Sequence, residues 1–291
     1  MEQELELLLL KEIKSKSQIE ALTDTFILSR LHQFFLTYGD KRKKLEKEFE
    51  IKQDKIIKSK IFKEVLKTIR EEIGILYGSY LTSQFSKKEL LLEKNILHHE
   101  QNPVDILLSL HKSSKERLEY YHQIYSKIFS WYQPKKGIAD LACGLNPLSY
   151  LEIKNYIKHQ LHYFVSDLNP KDMVFLQEFF NSQQLSGIAT AHDITEMKFL
   201  EDKSFLECDV VFFFKALDSF ENIKKNISKE LLEKIPQKRI IVSFPTKSLG
   251  SKKEFKSEKR NWFRNFLKKK EWSYEEFEIE NEMFFLIEKN D

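Results

Sequence analysis

From Met1 to about Tyr132 apolar side chains recur every three or four positions. In "IFKEVLKTIREEIGILYGSYL", Ile61, Val65, Leu66, Ile69, Ile73 and Leu76 fall on one face, with Lys, Glu and Arg opposite. The spacing predicts a helical half, ending in a long helix through "SSKERLEYYHQIYSKIFSWY". After Pro134 the period changes. Short runs of strand character follow in series: "GIADLAC", "LHYFVSDL", "GIATAHD", "DVVFFFKAL" and "RIIVSFPT". Helical stretches such as "PKDMVFLQEFFNSQQ" and "KNISKELLEKI" separate them. The chain closes with "EWSYEEFEIE" and "EMFFLIEK", joined so tightly that they must pair as an antiparallel hairpin.

Alternating strands and helices imply a mostly parallel sheet covered on both faces, the α/β class. Five such strands plus a terminal hairpin match the order of a Rossmann-like class I S-adenosylmethionine (SAM) methyltransferase sheet of seven strands, here preceded by a helical domain. Dinucleotide dehydrogenases normally lack the closing hairpin. The expected division is a helical, basic domain over 1–109 and the sheet domain over 110–291.

Composition adds little until the charges are located. The net charge is only +3, but two segments are strongly basic. Residues 41–70 carry 12 Lys or Arg against 5 acids, and residues 247–270 carry 10 against 2. Two such patches form the electrostatic footprint that a folded RNA requires, and no compact RNA-binding module accompanies them. The candidate RNA contacts are Lys41, Arg42, Lys43 and Lys44 in the first patch, and Lys247, Lys252, Lys253 and Arg260 in the second. Two cysteines, Cys143 and Cys208, form neither a disulfide framework nor zinc-ligand spacing, so a reducing, cytoplasmic setting and no metal are expected. The four-leucine run in "LELLLLKEIK" is too short for a signal peptide, and no stretch reaches the roughly 20 apolar residues of a membrane span.

In open α/β sheets ligands bind at the carboxyl ends of the strands. Those ends supply Asp140 to Gly144, Asp167, Asp193 and Lys215. Gly144 is one of only seven glycines, placed where backbone would come close to a ligand. Without a G-x-G-x-x-G pattern, a pyrophosphate cradle is poorly supported. Asp167 can accept both hydroxyls of a ribose, in SAM or in NAD alike. Asp193 can accept from an adenine amino group while Ile194 packs on the ring; an Asp at a strand end is equally a turn or cap residue. Cys143 reads as a small buried side chain, since no base or cation nearby would activate it.

Four segments, "HKSSKERLEYYHQIYSKIF", "DLACGLNPL", "FFFKALDSFE" and "SFPTKSLGSKKEFKSEKRNWF", occur in the order found in one family. Over roughly Leu110 to Lys289 the chain resembles the aminoglycoside-resistance 16S rRNA (guanine-N7) methyltransferases. The resemblance implies SAM as cofactor and ribosomal RNA within the small subunit as partner. It also implies that Arg117 grips the methionine carboxylate and that Gly144 admits the methionine moiety. Asp167 would hold the ribose, and Asp193 with Ile194 would frame the adenine. Lys215 and Lys247 would face the target nucleotide and the RNA backbone, Lys215 as a positioning group with no general base needed. Two departures stand out: Ser114 replaces a Thr, and Asp218 replaces a Pro, which would loosen the loop beside the target base. A methyltransferase for another RNA, or a non-catalytic RNA-binding protein on a degenerate methyltransferase scaffold, are the competing readings.

Overall fold

The computed structural model describes residues 2–98, 103–247 and 257–290. Two compact units are present: Met1–Ser79 with Leu168–Pro170, and Tyr80–Asp167 with Lys171–Asp291. The division falls at 79/80, whereas the sequence suggested 109/110. Backbone pairing explains the shift. Thr82 N–H donates to Leu110 C=O at 3.1 Å, and Leu81 forms an antiparallel bridge with His111, so the chain at residues 81–82 is tied to the start of the segment that leads into the sheet.

The first unit is helical: α1 (Glu2–Lys14), α2 (Asp24–Thr37), α3 (Gly39–Lys52) and α4 (Lys60–Leu76). Side-chain caps start two of these helices. Thr23 accepts from Phe26 N–H at 3.2 Å, and Ser59 accepts from Phe62 N–H at 3.2 Å. The predicted stripe of α4 is buried at Ile61, Val65, Ile69 and Ile73, joined by Phe62. Helix α3 differs, burying only Leu45 while its other positions remain partly or fully exposed.

In the second unit α5 (Lys88–His98), α6 (Pro103–Leu108), α7 (Lys112–Arg117) and α8 (Tyr121–Trp131) precede the sheet. The long helix expected here is therefore two. A turn at Leu118–Tyr120, closed by Tyr120 N–H donating to Arg117 C=O at 2.8 Å, separates α7 from α8. Apolar spacing could not reveal it, because Arg117 and Tyr121 are both buried, four residues apart, as on an unbroken helix.

The strands are β1 (Gly137–Leu141), β2 (His162–Asp167), β3 (Gly187–Ala191), β4 (Val210–Phe214), β5 (Arg239–Pro245), β6 (Ser273–Ile279) and β7 (Glu282–Glu288). They form one sheet in the order β3-β2-β1-β4-β5-β7-β6. The first five are parallel, and β7 runs antiparallel between β5 and β6. This is the expected seven-stranded, Rossmann-like α/β sheet with its terminal hairpin. β1 and β4 are buried at every position, as central strands covered on both faces must be. The strand order reverses between β1 and β4, so the crevice at their carboxyl ends is the switch point of the fold. Among the described residues no helix is long and apolar enough to cross a membrane.

Candidate active site at the strand ends

Leaving β1, the chain turns sharply. Ala142 takes a φ of 53° and Gly144 a φ of 52°, the left-handed region that side chains disfavour. A Cβ at Gly144 would lie 2.7 Å from Cε1 and Nε2 of His111. The need for glycine is thus set within the chain itself, by backbone conformation and by an imidazole lying against it. Tyr80 stacks on that imidazole, with centroids 5.7 Å apart and planes 10° from parallel. Burial, aided by Arg117, pushes the His111 imidazole down to about 3, so the ring is neutral at physiological pH. Its Nδ1 is buried without a hydrogen-bond partner among the described residues.

Asp167 and Gly144 meet directly: Gly144 N–H donates to Asp167 Oδ2 at 2.7 Å. Just beyond β3, Asp193 Oδ1 accepts from Thr195 N–H at 2.9 Å and from its hydroxyl at 2.6 Å, capping a short turn. Ile194 is only 2% exposed and belongs to the apolar cluster that includes Phe199 and Phe205. One Asp193 oxygen and the Ile194 side chain are therefore engaged structurally, as the cap reading of a strand-end acid anticipated.

Arg117 is buried. Its Nε lies 3.1 and 2.9 Å from the two Glu282 carboxylate oxygens, and its Nη2 lies 2.8 Å from Oε1. Burial alone would favour the neutral guanidine, but Glu282 overrides it and holds Arg117 charged. Glu282 itself stays below the usual carboxylate range despite burial, through Arg117 and Lys215. Ser243 Oγ also donates to Glu282. Lys215 stands at the end of β4 with a φ of 57°, a strained conformation of the kind that clusters at functional sites. Ser243 fixes that backbone, its carbonyl and hydroxyl accepting from Lys215 N–H at 3.1 and 3.0 Å. Lys215 Nζ reaches Glu116 at 2.7 Å and Glu282 at 3.2 Å. Of the residues carried by motif, Arg117 and Lys215 are thus joined through Glu282, which no motif marked.

Arg117 Nη1 makes one long hydrogen bond, to Asn146 Oδ1 at 3.5 Å. Asn146 Nδ2 donates to Asp140 Oδ2 at 2.7 Å, and Tyr163 O–H donates to the same oxygen at 3.0 Å. Asp140 Oδ1 is buried with no partner among the described residues, and burial raises its carboxyl to about 7. An underused guanidinium edge and an orphaned carboxylate oxygen flank one asparagine. That pairing suits a zwitterionic amino-acid group, whose carboxylate would meet Arg117 and whose ammonium would meet Asp140.

The basic segments divide. On α3, Lys41 Nζ pairs with Glu64 at 2.7 Å and sits 4.7 Å from the Tyr38 ring centre, and Arg42 pairs with Glu46 at 2.8 Å. Lys43 and Lys44 are exposed. In the second patch Lys247 is half-buried just beyond β5, and Lys252 and Lys253 lie outside the described residues. Arg260 departs from its expected role as an RNA contact. It is 3% exposed, donating to Asp218 at 2.7 Å and to Pro245 C=O at 3.0 Å, with its guanidinium 4.2 Å from the Phe244 ring centre. The same pair bears on the loosening expected at Asp218: an ion pair ties this position where a proline would have stiffened it.

A model of ribosomal RNA methyltransferases (FmrO) matches residues 98–287. The chain belongs to the FmrO ribosomal RNA methyltransferase family. A 16S rRNA (guanine(1405)-N(7))-methyltransferase of Micromonospora echinospora is 29% identical over 184 residues, covering 62% of this chain and 64% of the relative. One from Serratia marcescens is 28% identical over 237 residues, covering 78% and 84%. The match thus spans a little under two thirds of the Micromonospora relative. Among solved structures, the 16S rRNA methyltransferase RmtF, in complex with S-adenosyl-L-homocysteine, superposes with a TM-score of 0.74 at 20% identity over 98% of both chains. RmtB superposes with a TM-score of 0.70 at 22% identity, also over 98% of both. These likenesses establish the fold. Glu282, Glu116, His111 and Asn146, which complete the site's contacts, were not singled out by sequence reasoning. The first loop and the motif before the sheet contained three of them, but only folding shows that they face one another.

Proposed function

We propose that this chain transfers a methyl group from SAM to N7 of a guanine in small-subunit ribosomal RNA, in the cytoplasm where subunits assemble. The observation that carries the reading is the Arg117–Asn146–Asp140 arrangement at the switch point of the sheet, whose cation and carboxylate are suited in charge to an amino-acid terminus. Arg117 would bind the cofactor's carboxylate, Asp140 its ammonium and Asp167 its ribose. Asp193 would stand near the adenine through whichever contacts its cap role leaves. The bound sulfonium supplies the methyl group.

Guanine N7 already bears an available lone pair, so no side chain has to remove a proton. The protein's work is alignment and exclusion of water. Lys215, rigidly mounted by Ser243 and Glu282, is suited to hold the base. Lys43, Lys44 and Lys247 would contribute phosphate contacts, and the target nucleotide must leave its stack to reach the crevice.

The test is incubation of the protein with methyl-labelled SAM and purified small subunits, with free ribosomal RNA as control. The labelled nucleotide is then mapped by cleavage at N7-methylguanine. A single labelled guanine in the subunit is the expected result. SAM binding without transfer would redirect the reading to another RNA, and absence of SAM binding would indicate a non-catalytic scaffold.

A further inference from the structure

Methylation at N7 does not by itself distinguish the purines, because adenine carries the same ring nitrogen. The distinction lies along the adjoining edge. Guanine presents the acceptor O6 beside the donors N1–H and the 2-amino group, and adenine presents a 6-amino donor beside a bare, accepting N1. A site that prefers guanine therefore needs a donor and an acceptor side by side, in that order.

Such a pair stands at the carboxyl end of β4. Lys215 Nζ and Glu116 Oε2 are 2.7 Å apart. The ammonium has three N–H donors; one points to Glu116 and one to Glu282 at 3.2 Å, which leaves a third. The carboxylate of Glu116 uses Oε2 on the lysine, and Oε1 has no hydrogen bond among the described residues. Exposure separates the two partners: the Lys215 side chain is 3% exposed and that of Glu116 is 37%. Glu116 is therefore the member that an incoming base meets first. The mount is stiff, since Glu282 is clamped by Arg117 and Ser243, and the backbone of Lys215 is held in the left-handed region.

We infer that Glu116 is a specificity-determining residue, accepting from N1–H and the 2-amino group of the target guanine while Lys215 donates to O6. This deepens the functional reading above and rests on it. Adenine in the same pose would set its amino group against the ammonium and its N1 lone pair against the carboxylate. Both contacts are repulsive, and unpaired polar groups in a site discriminate strongly.

The experiment compares wild-type protein, Glu116→Gln and Glu116→Asp. Substrates are small subunits with the mapped target guanine, and subunits in which that nucleotide is replaced by adenine. Labelled-methyl incorporation gives kcat/KM, and calorimetry with S-adenosylhomocysteine reports the cofactor pocket. Glu116→Gln should lower transfer to guanine by about tenfold to a hundredfold, the loss expected for a charge-assisted hydrogen bond. It should reduce the guanine-over-adenine ratio at least about tenfold and leave S-adenosylhomocysteine affinity unchanged. Glu116→Asp, which keeps the carboxylate, should retain more of the ratio. An unchanged rate on guanine, or a lower rate with an unchanged ratio, would overturn the inference while the functional reading survived. No transfer by the wild-type protein to either subunit would overturn both.

Discussion

Around Arg117 four charged groups, Arg117, Glu282, Lys215 and Glu116, share one cluster, three of them almost fully buried. Along α3 charges are more numerous, yet they lie at the surface in pairs such as Arg42–Glu46, four residues apart on one helix. The first arrangement depends on residues far apart in sequence and is rigid; the second is local and adjustable. Charge counting finds the second and misses the first. Desolvation makes the difference, because a buried charge must be matched by a partner in fixed geometry, whereas a surface charge is met by water.

The largest expected effect separates the two. Arg117→Ala removes the main partner of a buried carboxylate and should cost about 3–5 kcal/mol of stability, together with S-adenosylhomocysteine binding. Arg42→Ala should cost no more than about 0.5 kcal/mol. Urea denaturation of both variants checks this, and equal losses would dissolve the contrast.

Gly144→Ala should cost roughly 3 kcal/mol, adding left-handed strain to a clash with His111. The same substitution made in a His111→Ala background should cost about 1–2 kcal/mol less, since only the backbone strain remains. An unchanged penalty in that double-mutant cycle would place the whole cost in φ.

Two buried groups give opposite pH dependences. Asp140 titrates near 7 in the folded chain against an ordinary value of 3.8, so the folded state binds the extra proton. Its contribution is present at low pH and is lost as pH rises from about 4 to 7. His111 titrates near 3 against 6.5, so its contribution is present above 6.5 and is lost as pH falls toward 3. The two slopes offset each other between about pH 4 and 6, and above that Asp140 acts alone. Denaturation midpoints for wild type should therefore decline between about pH 6 and 7.5, and Asp140→Asn should abolish that decline. S-adenosylhomocysteine should bind more tightly at about pH 8 than at about pH 6, because its ammonium favours ionised Asp140. A pH-independent affinity would detach Asp140 from the cofactor.

The smallest change in stability is expected on α3. Lys43→Glu with Lys44→Glu should leave unfolding within about 0.5 kcal/mol of wild type. Affinity for the small subunit should nevertheless fall, and the slope of log affinity against log salt should flatten by about 1 for each phosphate no longer neutralised. A slope that does not move would identify these lysines as merely solvated.

Much of the fold was legible because periodicity reports burial. Central strand β4 reads as a continuous apolar run and β1 as an apolar run broken by Asp140, and the terminal hairpin followed from the short spacing of its strands. The turn at Leu118–Tyr120 was hidden because it preserves the four-residue relation of Arg117 and Tyr121. The division at 79/80 was hidden because it depends on the Leu81–His111 bridge and the Thr82–Leu110 hydrogen bond, which no composition shift marks. Arg260 counted as part of a basic patch, yet it lies against Phe244 and Asp218.

By itself, the sequence determined the alternation of elements, the closing hairpin, the motifs at the strand ends and the family to which they belong. These are local or periodic properties, set by which side chains can be buried on a strand or helix. Only the tertiary structure decided that Glu282 would bind Arg117, that Gly144 must make room for His111, and that Glu116 would stand beside Lys215. Each of these joins groups from separate elements, and the free energy of a buried charge depends on where its partner ends up in space, a quantity no linear spacing contains.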